Sequence, residues 1–124
     1  MDASIIKNYV ASGAIGQYLV GKFASADGTV AQSSAATDLS IGVCCQPGGA
    51  ADGERVDMVR SGMAEVQYGG TIARGKKLTA NSAGKVVEAA PSAGANVQII
   101  GIAEVSGVAN DIVWMLLAPG VMQG

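Results

Sequence analysis

The chain contains no histidine. That removes imidazole as a general base, the usual nucleophile–histidine pairs and most zinc sites. Aromatic residues are nearly as scarce, with one Trp, one Phe and three Tyr. Charge is thin too: 8 basic and 10 acidic side chains leave a net −2. The basic residues do not gather. The nearest grouping is the Lys76-Lys77 pair, with Arg55, Arg60 and Arg74 scattered around it. A nucleic-acid binder carries a basic patch or stripe, so no nucleic-acid partner is expected. The longest apolar run, Ile112 to Ala118, falls far short of the roughly 20 residues that cross a bilayer, so no membrane partner is expected either. Met1-Asp2-Ala3-Ser4 lacks the basic region and apolar core of a secretory signal. The two cysteines, Cys44 and Cys45, are adjacent, a spacing at which a mutual disulfide is rare. They read as two small packing residues on opposite faces of a strand, in a reducing cytoplasm.

The remaining chemistry is sparse. Asp27, Asp52 and Asp111 sit beside glycine or asparagine, where aspartate is ordinary turn chemistry. Asp52-Gly53-Glu54 lacks the alternating oxygen ligands of a calcium loop. Gly70 and Gly75, followed by Lys76, have the spacing of a phosphate loop. However, Lys77 stands where that loop needs Ser or Thr for magnesium, so the segment reads as a β-turn lifting Ile72 and Leu78 into the core. No catalytic residue, metal ligand or cofactor is expected, and the chain is not expected to be an enzyme.

What is abundant is glycine, 18 of 124 residues, twice the usual share of about 7%. Only glycine takes positive φ without cost, so many glycines in a short chain mean many turns. Between them lie short alternating segments. Gln17 to Ala24 and a return from Thr29 flank Asp27-Gly28, a strong hairpin signal. A polar link over 32–38 allows one helical turn. Ser40 to Cys45 and Arg55 to Arg60 read as strands, and Ser61-Gly62 as the turn of a second hairpin whose return strand carries Ala64, Val66 and Tyr68 on one face. Lys85 to Ala89 and Val97 to Val105 follow. Ile112 to Leu117 closes the domain, with Pro119-Gly120 stopping it. The expected fold is all-β: a small single-domain β-barrel or sandwich of short strands with little helix, occupying residues 13–124. Residues 1–12 are either an arm that orders against a partner or an ordinary first strand. Ile5, Ile6 and Tyr9 are their anchors and the candidate partner contacts. Trp114 and Met115 lie in a strand apolar on both faces, which is either central in the domain or set against another subunit.

One echo runs through the chain. Ile41-Gly42-Val43 followed by Glu54–Val59 resembles Ile100-Gly101-Ile102 followed by Asp111–Leu116, with a gap that differs by two residues. It reads as two related strand pairs or as chance, but not as a solenoid, which needs about three copies.

Several runs carry a family resemblance. They are Gly16-Gln17-Tyr18-Leu19-Val20, Asp27-Gly28-Thr29-Val30, Asp38 with Ile41-Gly42-Val43, and Gly53-Glu54-Arg55-Val56-Asp57. Gly62, Gly69-Gly70-Thr71-Ile72, Gly75-Lys76-Lys77-Leu78-Thr79, Gly84-Lys85-Val86-Val87 and Ile100-Gly101-Ile102-Ala103 follow. In this order they resemble the capsid cement (decoration) proteins of tailed bacteriophages, over about residues 13–117. The resemblance implies a β-rich virion protein, assembled in the bacterial host cytoplasm and bound to the outer surface of the capsid. It implies a homotrimer that clamps neighbouring copies of the major capsid protein. It implies no catalytic residue. In this setting Ile5, Ile6 and Tyr9 become candidate capsid contacts, and Trp114 and Met115 candidate subunit-interface residues. A phage tail or fibre-base module shares the same profile. A small-barrel module of lipoyl or co-chaperonin type is a third alternative, although Lys76, Lys77 and Lys85 lack the flanking aspartate or methionine of a lipoyl lysine.

Overall fold

The computed structural model describes residues 4–124, and among them there is no helix. The first five strands are β1 (Ile5–Ala11), β2 (Val20–Phe23), β3 (Thr29–Gln32), β4 (Ser40–Cys44) and β5 (Arg55–Ser61). They close into a barrel in the order β1-β3-β2-β4-β5. The next five are β6 (Met63–Gln67), β7 (Lys77–Ala80), β8 (Val86–Glu88), β9 (Asn96–Ala103) and β10 (Ile112–Gln123). They form a sheet in the order β6-β10-β9-β7-β8. The all-β, single-domain expectation is met.

The two five-strand units are copies of one design. Replacing β1–β5 by β6–β10 in turn converts the circular order of the barrel into that of the sheet. The registers agree as well. Tyr9↔Val56 and Ile6↔Val59 become Val66↔Val113 and Met63↔Leu116. Val43↔Val59 becomes Ile102↔Leu116, and Val20↔Val43 becomes Lys77↔Ile102. Even the isolated bridge Ile15↔Ala50 recurs as Ile72↔Gly107. The turn before the last strand repeats its chemistry. Gly53 and Asn110 both hold positive φ, 82° and 72°. The Glu54 carboxylate accepts the Ala51 N–H at 2.7 Å, as that of Asp111 accepts the Val108 N–H at 2.8 Å. The short echo in the sequence is thus a repeat of the whole unit. Gly42 and Gly101 persist in both copies because a Cβ would strike the backbone carbonyl oxygen of Val59 or of Leu116 on the paired strand.

The copies differ in closure. In the first, β1 lies parallel to β3 through Val10↔Thr29 and Ala11↔Val30. In the second, the same seam is reduced to one parallel bridge, Tyr68↔Val86. The first unit packs against the second. Along its strands Tyr9, Val56, Met58 and Cys44 fill the barrel's own core. The alternate residues Val20, Val43 and Val59 face out and join the core of the second unit, with Val66, Tyr68, Leu78, Ile100 and Met115. Burying each valine contributes about 1.5–3 kcal/mol. Backbone bonds lock the junction, from Gln67 N–H to Tyr18 O at 3.1 Å and from Val20 N–H to Gly84 O at 2.8 Å.

Three local expectations are corrected and one is refined. Gly62, at φ 90°, does not turn a hairpin: β5 and β6 are unpaired, and the glycine passes the chain from one unit to the next, where β6 pairs β10. Tyr18 sits at φ 71°, so β2 begins at Val20 and not at Gln17. The 32–38 link holds a single hydrogen-bonded turn, Asp38 N–H to Ala35 O at 3.3 Å, and no helix. The Asp38 carboxylate caps it by accepting the Ser34 and Ala35 N–H groups at 2.8 and 3.0 Å. Finally, Pro119-Gly120 does not stop the last strand. The register shifts between Leu117 and Gly120 and β10 continues to Gln123, because a bulge accommodates a residue that cannot donate to the ladder.

Candidate docking surface

The structure separates the five residues singled out from the sequence. The segment 5–11 is β1, paired to β5 along its length and to β3 at its end, so it is built into the barrel. Its anchors then separate, with a register shift between Ile5 and Ile6 that breaks the alternation at the strand's start. Ile5 and Ile6 are 62% and 55% exposed, whereas Tyr9 is buried in the barrel core. On β10 regular alternation applies. Met115 is wholly buried among Val66, Leu78 and Ile100, while Trp114 is 43% exposed. Both faces of β10 are apolar, as the sequence shows, but only one is core. Ile112, Trp114 and Leu116 line the other, exposed face.

That face meets the first unit in a groove of about 200 Å³. Ile6, Met63 and Trp114 supply its apolar wall, and Gln17, Tyr18 and Glu65 supply polar edges. Met63 and Trp114 also wall an adjoining shallower cleft with Arg74 and Glu104. An apolar centre with a polar rim is the usual anatomy of a protein contact. Trp, Tyr and Met are the side chains such centres favour.

Tyr18 adds a second mark. A non-glycine residue at positive φ is strained by about 1–2 kcal/mol. Its counterpart in the second unit is Gly75, at φ 89°. The fold therefore requires this conformation, and glycine would serve it at no cost. The first unit holds a tyrosine there instead, pinned by its N–H to Cys44 O at 2.9 Å and lining the groove. Sequence reasoning missed Tyr18 and Leu116, while Met63 fits either the core or a subunit contact on its flexibility alone. The alternation of Ile112, Trp114 and Leu116 was the available signal; the groove itself depends on how two units pack.

Reactive groups are subdued. Burial pushes both thiols up, with the Asp57 charge adding to the effect, so Cys44 and Cys45 stay protonated and unreactive at neutral pH. Burial also raises the Tyr68 phenol, again with a contribution from Asp111. Tyr68 donates its hydroxyl to Val105 O at 2.7 Å, a structural role. Among the described residues no three His, Cys, Asp or Glu side chains converge as metal ligands would.

The arrangement defines a small all-β module of two repeated five-strand units with an apolar groove between them. No family model matches the sequence, and no curated protein matches it. In fold the chain is similar to the N base of head fiber gp8.5 of bacteriophage phi29. The TM-score is 0.72 at 16% identity, covering 93% of this chain and 94% of that one.

Proposed function

We propose that this protein is a structural component of a phage virion that docks on the outside of the head. The observation that carries this reading is the likeness, over nearly the full length of both chains, to the base of a phage head fiber. The resemblance of its ordered motifs to capsid cement proteins points to the same location. In this reading the partner is the major capsid protein, and three copies gather at a three-fold position of the shell. Ile5 and Ile6 contact the shell, and the Trp114 face lies between subunits. Each module then needs only modest affinity, because a trimer engages several capsid subunits at once. The fold likeness favours service as a fibre base, and the motif resemblance favours a cement that clamps the shell.

Light scattering of the purified protein, alone and with expanded heads, tests the proposal. A trimer that loads in fixed stoichiometry is expected. Loss of the trimer is expected for Trp114→Ala, and loss of loading for Ile5→Ser with Ile6→Ser. Heads that gain heat resistance on loading select the cement role, whereas loading without such a gain selects the fibre base. No loading at micromolar concentration overturns the reading.

A further inference from the structure

The first barrel opens in a cleft at one end. Lys7, Tyr9, Phe23, Ile41, Thr29 and Arg60 line this cleft of about 360 Å³. The Arg60 guanidinium lies 5.7 Å from the centre of the Phe23 ring, and the Lys7 ammonium 5.3 Å from that of Tyr9. Two cations thus share one opening, each against an aromatic ring. Among the described residues neither has a carboxylate partner, the one ion pair there being Lys22–Asp38. Nη1 of Arg60 is buried, and among the described residues no acceptor reaches it. Asp27 lines the cleft from the exposed turn without pairing to either cation.

The repeat supplies an internal comparison. By register, the positions of Lys7, Tyr9, Phe23 and Arg60 correspond to Ala64, Val66, Ala80 and Leu117. All four are buried and aliphatic. The fold therefore does not call for cations or rings at this end of the unit. Where it has them, they sit around an opening, with a donor that no acceptor among the described residues satisfies. A buried guanidinium N–H without an acceptor is costly, and a carboxylate is the planar partner that satisfies it best. Mouths of β-barrels are recurrent ligand sites, and Phe23, 53% exposed, extends this one outward.

We propose that the mouth of the first barrel binds a carboxylate presented by a second polypeptide, with Arg60 and Lys7 as its cationic contacts and the Phe23 and Tyr9 rings as its walls. The site is distinct from the groove at Trp114, and it stands or falls independently of a role on a phage head.

The test is an NMR titration of the ¹⁵N-labelled full chain, following the Arg60 side chain and the β1 amides. The probes are acetate and a short peptide with one central glutamate, with chloride as the ionic-strength control. A saturable shift at Arg60 and Lys7 with the peptide, absent with chloride, is expected. Saturation by acetate alone would assign the same site to free small acids, which overturns the polypeptide half of the proposal. The variant Arg60→Leu with Lys7→Ala installs the residues the second unit carries, and it should abolish the shift. Should that variant unfold, Lys7→Glu alters only an exposed side chain and should weaken peptide binding at least tenfold. No saturable shift in the parent protein, or an equal shift in the variants, overturns the site altogether.

Discussion

At the scale of single residues, the two equivalent glycines are tightly constrained. Gly42 and Gly101 lie where a paired strand's carbonyl occupies the place of a Cβ. Neither strand can withdraw without breaking its ladder, so overpacking here acts on backbone. Gly101→Ala should cost about 3 kcal/mol, the upper end for overpacked cores, and Gly42→Ala a similar amount. By contrast Gly13→Ala, with open space around it, costs only the strain of its φ of 84°. Urea unfolding midpoints of the three variants test the ranking. Asp38 gives a pH dependence. Burial raises its pKa, but the Ser34 and Ala35 N–H groups and Lys22 outweigh that and hold it below the ordinary 3.8. A group depressed in the folded state stabilises above its unfolded pKa, and that contribution fades as pH falls through the folded value. The parent protein should therefore lose stability below about pH 4 more steeply than Asp38→Ala, which should be about 1 kcal/mol less stable at neutral pH. Parallel acid titrations would undermine the capping role.

At the scale of elements, β10 carries two functions on alternate residues. Its inner side, Val113, Met115 and Leu117, packs against the second unit's core, whereas Ile112, Trp114 and Leu116 leave it. Met115→Ala should cost about 2–5 kcal/mol through the cavity it opens. Trp114→Ala should change folding stability by less than about 1 kcal/mol, as surface substitutions usually do. Thermal melts of the pair measure the split, and equal losses would mean that Trp114 is core. Most of this strand was legible in the sequence, because alternation and length are local properties. Which apolar face is core was not legible, since that depends on a partner strand far along the chain. The same reason explains Gly62. A Ser-Gly pair between two alternating runs has the local grammar of a hairpin, and only the pairing of β6 with β10 decides otherwise. The anchors of β1 follow suit: their apolar character was visible, while the burial of Tyr9 came from the barrel closing around it.

At the scale of the whole molecule, duplication was half visible. The echo of Ile-Gly-Val in Ile-Gly-Ile survived because a glycine pressed against a carbonyl cannot drift. Elsewhere side chains changed while registers did not, which hid the repeat from residue comparison. The two copies have nonetheless parted in how they are closed. The ladder between β1 and β3 secures the first, and a single bridge does so for the second. Amide hydrogen exchange should therefore be faster at Val86, Val87 and Glu88 than at Val30, Ala31 and Gln32, by about tenfold if the missing ladder is worth about 1.4 kcal/mol of local opening. Equal protection would mean that packing by Val20, Val43 and Val59 compensates fully for the absent bonds.

The clasping of β1 between two neighbours has a mechanical meaning. Tension applied along β1 loads its many bonds to β5, and those to β3, in shear, so they must fail together. The stretch of β10 beyond Leu117 is paired on one side, to β9, and tension across it would part its bonds one after another. Tension along the first strand should thus meet a high, brittle threshold, while tension across the end of the last strand peels it at low load. Such a body is anchored firmly at one end and yields at the other.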